Sequence, residues 1–145
     1  MNKVTEQTNQ KIIKAKQPAK QIILVVDDCI DTLLLNRTVL ELEGFEVFTA
    51  QSGSDAMSIL KQISFPDLIL LDMKMEEMSG LEFLNKLEKE RPEIVANVPV
   101  VFMTGVDHVP PSKASGFIQK PVEISYFVKA VRQYIKAHGS FCIRN

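Results

Sequence analysis

Asp27, Asp28, Asp72, Thr104 and Lys120 are the residues of this chain whose types and spacing could do chemistry together. Each stands at the end of an apolar run: Asp27 and Asp28 after residues 22–26, Asp72 after 68–71, Thr104 after 100–103, and Lys120 after the shorter run 116–119. If the runs are parallel strands, their carboxyl ends are where an open α/β sheet binds ligands. Three carboxylates, one hydroxyl and one ammonium would then share one edge. Crowded like charges are costly unless neutralised, and a single lysine leaves negative charge in excess. A hard divalent cation with oxygen ligands, Mg²⁺ or Mn²⁺, answers that excess, and Mg²⁺ suits a site with few carboxylates. A carboxylate beside such an ion, a hydroxyl and a fixed lysine suits phosphoryl transfer onto the carboxylate itself. Gly105 leaves room for the donor. No GxGxxG or GxxxxGK[ST] loop is present, which disfavours a nucleotide site.

The elements that must position these groups follow from patterning. Residues 22–26, 68–71 and 99–103 are continuous apolar runs, the signature of strands buried on both faces. Residues 46–50 and 116–119 supply two further strands. Leu35, Val39 and Leu42 fall at helical spacing, with Gly44 as the stop. Ala56, Ile59, Leu60 and Ile63 mark a second helix behind a Ser52-Gly53-Ser54 turn and cap. Leu81, Leu84 and Leu87 follow a capping box formed by Ser79 and Glu82. Phe127, Val128, Val131, Tyr134 and Ile135 mark a last helix, which Gly139 is expected to close. Strands alternating with helices predict a five-stranded parallel sheet covered on both faces.

Composition bounds the rest. The chain has 145 residues, is 46% hydrophobic and 24% charged, and carries a formal net charge of −1. That suits one domain with a real core, and excludes disorder, low-complexity structure and bulk electrostatic capture of nucleic acid or anionic membrane. The longest apolar run is too short to span a bilayer, and no secretory signal opens the sequence. Residues 1–20 hold five lysines against Glu6, a net of +4, which leaves −5 for the remainder. They are expected to form a basic, flexible extension ahead of a domain over 21–139 and a short tail over 140–145. Cys29 and Cys142 lie far apart without a CxxC motif, so reduced thiols in a cytoplasmic protein are expected rather than zinc or a disulfide. His108 and His138 are read as solvent-facing loop and helix-end residues.

Taken in order, Val-Val-Asp27-Asp28, Leu-Leu-Asp72-Met-Lys-Met, Phe-Met-Thr104-Gly105 and Gly-Phe117-Ile-Gln-Lys120-Pro121 resemble the receiver domains of two-component response regulators, over about residues 21–138. The stand-alone receivers of chemotaxis and sporulation relays are the nearest in kind. The resemblance implies a flavodoxin-like, doubly wound sheet of order 2-1-3-4-5. It implies Asp72 as phosphoacceptor and metal ligand, Asp27 and Asp28 as the acidic pair organising Mg²⁺, and the backbone carbonyl of Lys74 as a further metal ligand. Thr104 and Lys120 take the phosphoryl-binding roles, and Lys120-Pro121 matches a cis peptide. Phe117 stands at the switch-aromatic position, where plain core packing is the competing reading. A sensor histidine kinase or histidine phosphotransfer protein is the implied donor, with an unknown downstream protein target and neither nucleic acid nor membrane as partner.

Three departures stand out. Glu76 occupies a position where proline is usual, predicting a freer acceptor loop. Lys74 places a long cation beside the acceptor, where it would either shield the acyl phosphate from water or pair with a surface carboxylate. Pro110 and Pro111 lack amide donors and bias their predecessors away from helix, so the helix between strands four and five is expected to be truncated or replaced by a loop. Two other functions compete: a degenerate receiver serving as a constitutive scaffold or dimerisation module, and a Mg²⁺-dependent hydrolase with Asp72 as covalent nucleophile. The hydrolase would want an acid where Lys74 stands.

Overall fold

The computed structural model describes residues 19–144, with side chains to His138. Residues 1–18 of the extension expected over 1–20, and the Cys142 side chain, lie outside the described residues. The elements run β1 (Ile22–Val26), α1 (Ile30–Leu42), β2 (Glu46–Ala50), α2 (Gly53–Gln62), β3 (Leu68–Asp72), α3 (Gly80–Glu90), α4 (Pro92–Asn97), β4 (Val100–Thr104), β5 (Gly116–Gln119) and α5 (Ile124–Arg144). All strand pairs are parallel and the sheet order is β2-β1-β3-β4-β5. β3 and β4 are buried along their whole length, which is why their sequences are apolar without alternation.

The sheet separates two cores. Ile23, Val25, Leu68, Leu70, Val101 and Met103 face α1 and α5. Leu24, Val26, Ile69, Leu71, Val100 and Phe102 face α2, α3 and α4. Alternate residues of one strand feed opposite cores, as the period of two requires.

Caps agree with the sequence. The Ser52 hydroxyl accepts from the Asp55 amide. The Ser79 hydroxyl accepts from the Glu82 amide while the Glu82 carboxylate accepts from that of Ser79, completing the capping box. Gly44, at φ 96°, ends the turn after α1 in a conformation that other residues rarely adopt.

The segment over 105–115 contains no helix, as its prolines predict. Val109 and Ala114 pack from it against the second core, together with Phe117, so a loop covers ground that a helix would otherwise take.

Three expectations are corrected. On α1 the buried side chains are Leu33, Asn36 and Leu40, whereas Leu35 and Leu42 are 58% and 82% exposed. The run Leu33-Leu34-Leu35 allows several phases of a helical stripe, and the polar Asn36 masks the one that faces the sheet. α5 continues through Gly139 to Arg144, because one glycine costs only about 1 kcal/mol in a helix and does not oblige it to end. His138 is accordingly a half-buried residue within the helix rather than at its end. The short helix α4 was not foreseen; its one buried contact, Ile94, is too little to show a period.

Candidate functional site

The five residues singled out by type and spacing converge at the carboxyl edge of the sheet. Asp72 and Thr104 are the last residues of β3 and β4, Asp27 and Asp28 follow β1, and Lys120 follows β5. Asp27, Asp72 and Thr104 are buried, at 3%, 7% and 5% exposure, while Asp28 is exposed. Polar groups buried to that degree in so small a domain must be held by specific partners.

Those partners are present. The Lys120 ammonium donates to Asp72 Oδ1 at 3.0 Å and lies 3.7 Å from Asp27 Oδ2. The Lys120-Pro121 peptide is cis, as the resemblance implied. The Cys29 amide donates to Asp27 Oδ1 at 2.9 Å. The Glu76 amide donates to Asp28 Oδ2 at 3.1 Å. The Val106 amide donates to the Thr104 hydroxyl at 3.2 Å. These three amides escaped the sequence reading, because a backbone donor carries no side-chain signature.

Carboxylate oxygens of Asp27, Asp28 and Asp72 lie within 4.8 Å of one another. Burial pushes the Asp27 carboxyl above its ordinary pKa, and the Asp72 and Asp28 charges push the same way, against the Cys29 amide and Lys120. One ammonium therefore leaves the cluster short of positive charge. An all-oxygen donor set with that deficit fits a hard divalent cation such as Mg²⁺.

The sign of the Asp27 shift sets a pH dependence. Because the folded state holds this proton more tightly than the unfolded chain does, the associated stability is full below the ordinary aspartate value. It is lost as pH rises through the raised one. At neutral pH the metal-free fold thus bears the cost of a buried charge. Asp27→Asn keeps the oxygen that accepts from Cys29 and removes that charge. It is expected to stabilise the metal-free protein at neutral pH. Thermal melts should show the gain shrinking as pH falls through the raised value and absent below the ordinary aspartate value. A variant less stable than wild type at neutral pH would contradict this account.

Beside the cluster opens a cavity of about 470 Å³, lined by Asp72, Met73, Lys74, Thr104, Gly105, Val106 and Lys120. It offers a nucleophilic carboxylate, a hydroxyl and two ammonium groups around one space, a set suited to a tetrahedral oxyanion. Nothing lies within 4 Å of where a Gly105 Cβ would stand, so the mouth is open there. The exposed Lys74 side chain enters no ion pair among the described residues, so the surface-pairing alternative finds no support. Phe117 is half-buried against the second core, and its carbonyl accepts from the Tyr134 hydroxyl at 3.4 Å.

A family model described as response regulator receiver domain matches residues 23–132. The chain belongs to that family. This receiver is 34% identical over 119 residues to sporulation initiation phosphotransferase F of Bacillus subtilis, covering 78% of this chain and 92% of that protein. It is 26% identical over 119 residues to the polar-differentiation response regulator DivK of Brucella ovis, covering 78% and 94%. Among solved structures, Vibrio cholerae chemotaxis protein CheY4 superposes with a TM-score of 0.70 at 26% identity, covering 80% of this receiver and 99% of that chain. A CheY-like receiver domain protein of Methanospirillum hungatei JF-1 gives 0.71 at 25%, covering 84% and 98%. No described helix is long and apolar enough to cross a membrane.

Proposed function

We propose that this receiver takes a phosphoryl group from a phosphohistidine donor onto Asp72 and thereby switches a protein–protein contact in a cytoplasmic phosphorelay. The observation that carries this reading is the arrangement of Asp72: a buried carboxylate paired with Lys120, beside Asp27 and Asp28, at the wall of a cavity shared with Thr104.

An Asp72 carboxylate oxygen attacks phosphorus in line. The new O–P bond forms as the P–N bond to the donor imidazole breaks, and the electron pair leaves with that nitrogen. Asp27, Asp28 and Asp72, with the Lys74 carbonyl, would hold Mg²⁺, which supplies charge neutralisation for the transferring oxygens. Lys120 and the Thr104 hydroxyl bind two further oxygens. The product adds roughly −2 charge where Thr104 and Lys120 meet. The Thr104 hydroxyl then reorients toward the phosphoryl group, which alters its bond with Val106 at the root of the 105–115 loop. Phe117 packs, like that loop's Val109 and Ala114, against the second core, which makes it the side chain to follow the change. The exposed Ile30 and Leu34, just past the acidic pair, offer a donor protein apolar ground beside the acceptor.

Incubation with acetyl phosphate and Mg²⁺ followed by intact mass tests the reading. A gain of one phosphoryl group is expected. No gain would favour the scaffold alternative, and steady turnover of a phosphate ester would favour the hydrolase.

Lys74 lines the cavity and has no carboxylate partner among the described residues, so we assign it the shielding role. Its aliphatic stem and charged head crowd the approach of water to the acyl phosphate. Lys74→Asn is expected to shorten the phosphoryl lifetime severalfold, measured by the decay of the phosphorylated mass. An unchanged lifetime removes the role.

A further inference from the structure

We infer that the backbone amide of Glu76 is a positioning group for the metal site, holding the exposed Asp28 carboxylate within the acidic cluster. The inference rests on the reading of Asp27, Asp28 and Asp72 as cation ligands.

The three carboxylates are not held alike. Asp27 and Asp72 are buried, and each has a partner that fixes it: the Cys29 amide for one, Lys120 for the other. Asp28 is exposed and forms no ion pair among the described residues. Its two neighbours carry its own sign and repel it. An aspartate under those conditions would spread over its rotamers and turn toward water. It nonetheless keeps an oxygen within 4.8 Å of both other carboxylates. The described side-chain hydrogen bond that holds it is the 3.1 Å contact from the Glu76 amide, donated across a sequence separation of 48.

That donor is itself well placed. Glu76 lies in the loop joining β3 to α3. The loop is closed on one side by the Gly80 amide, which donates to the Met73 carbonyl at 2.9 Å, and on the other by the Ser79–Glu82 capping box. The amide is thus presented from a tied loop, and Asp28 gains a fixed direction at little further entropic cost. Outer partners of this kind orient metal ligands and commonly matter tenfold or more to affinity. Residue type enters in one respect only: any residue but proline at position 76 supplies the N–H. The freer loop expected from the loss of proline is, in this chain, a loop that has gained a donor.

The experiment compares three proteins by isothermal titration with MgCl₂ alone, without a phosphoryl donor. They are wild type, Glu76→Ala, and a protein in which the α-hydroxy analogue of glutamate at position 76 replaces the amide by an ester. The ester should weaken Mg²⁺ binding by about tenfold. Glu76→Ala, which keeps the amide, should bind as wild type does. Melting curves without Mg²⁺ confirm that each is folded, and Glu76→Pro serves in place of the ester if that protein does not fold. An ester or proline protein that binds like wild type overturns the inference, and so does an alanine protein that loses as much as the ester. Wild type that takes up no Mg²⁺ overturns the metal reading itself, and this inference with it.

Discussion

Asp72→Asn is expected to abolish phosphoryl gain from acetyl phosphate completely. Among the described residues, its carboxylate is the one acidic side chain lining the cavity that Thr104 shares, and it pairs with the ammonium of Lys120. An amide oxygen is far less nucleophilic and carries no charge for the lysine to steer. The substitution is nearly isosteric, so the apolar strands around β3 remain packed, and the variant tests chemistry rather than folding. It also removes one of three like charges from the cluster, which is expected to weaken the proposed Mg²⁺ binding. Intact mass after incubation with acetyl phosphate and Mg²⁺ reads the result. A phosphoryl group retained by the D72N protein would place the acceptor elsewhere and undo the assignment.

The second large effect is on stability and comes from Gly80. This residue opens α3 directly against the Asp72–Met73 backbone: a Cβ there would collide with the Asp72 carbonyl oxygen and stand 3.0 Å from Met73 Cα. Both obstacles are main chain, and the Gly80 amide is tied to Met73 by a hydrogen bond, so neither side can yield cheaply. Gly80→Ala is expected to destabilise the protein by about 2–3 kcal/mol, the upper part of the usual overpacking range, and to slow phosphorylation by moving Asp72. Urea denaturation checks the first effect and the rate of mass gain the second. Gly105→Ala is the matched control, because no atom lies within 4 Å of that Cβ and the backbone there is not left-handed. Equal losses at the two positions would show that glycine entropy, not the collision, is responsible.

Much of this was legible beforehand, for physical reasons that differ from element to element. β3 and β4 could be read because burial on both faces demands unbroken apolar runs. The loop over 105–115 could be read because consecutive prolines remove amide donors. α1 could not be phased, since its buried Asn36 and exposed Leu34, Leu35 and Leu42 invert the usual correlation between polarity and burial. The exposure of those leucines depends on how the chain turns out of β1, which no local pattern records.

The same division runs through the site. Its side chains were identifiable because the sheet's carboxyl edge is a place, and residue type after each strand says what stands there. Which groups touch was decided by tertiary structure: the lysine that reaches Asp72 before Asp27, the Val106 amide on Thr104, and the Glu76 amide on Asp28. The sequence alone determined the donor set and its excess of negative charge, because composition and periodicity are local and additive. Only the fold decided how each carboxylate is held, because a hydrogen bond between residues 48 apart exists in the register of strands and loops and leaves no trace in either residue's neighbours.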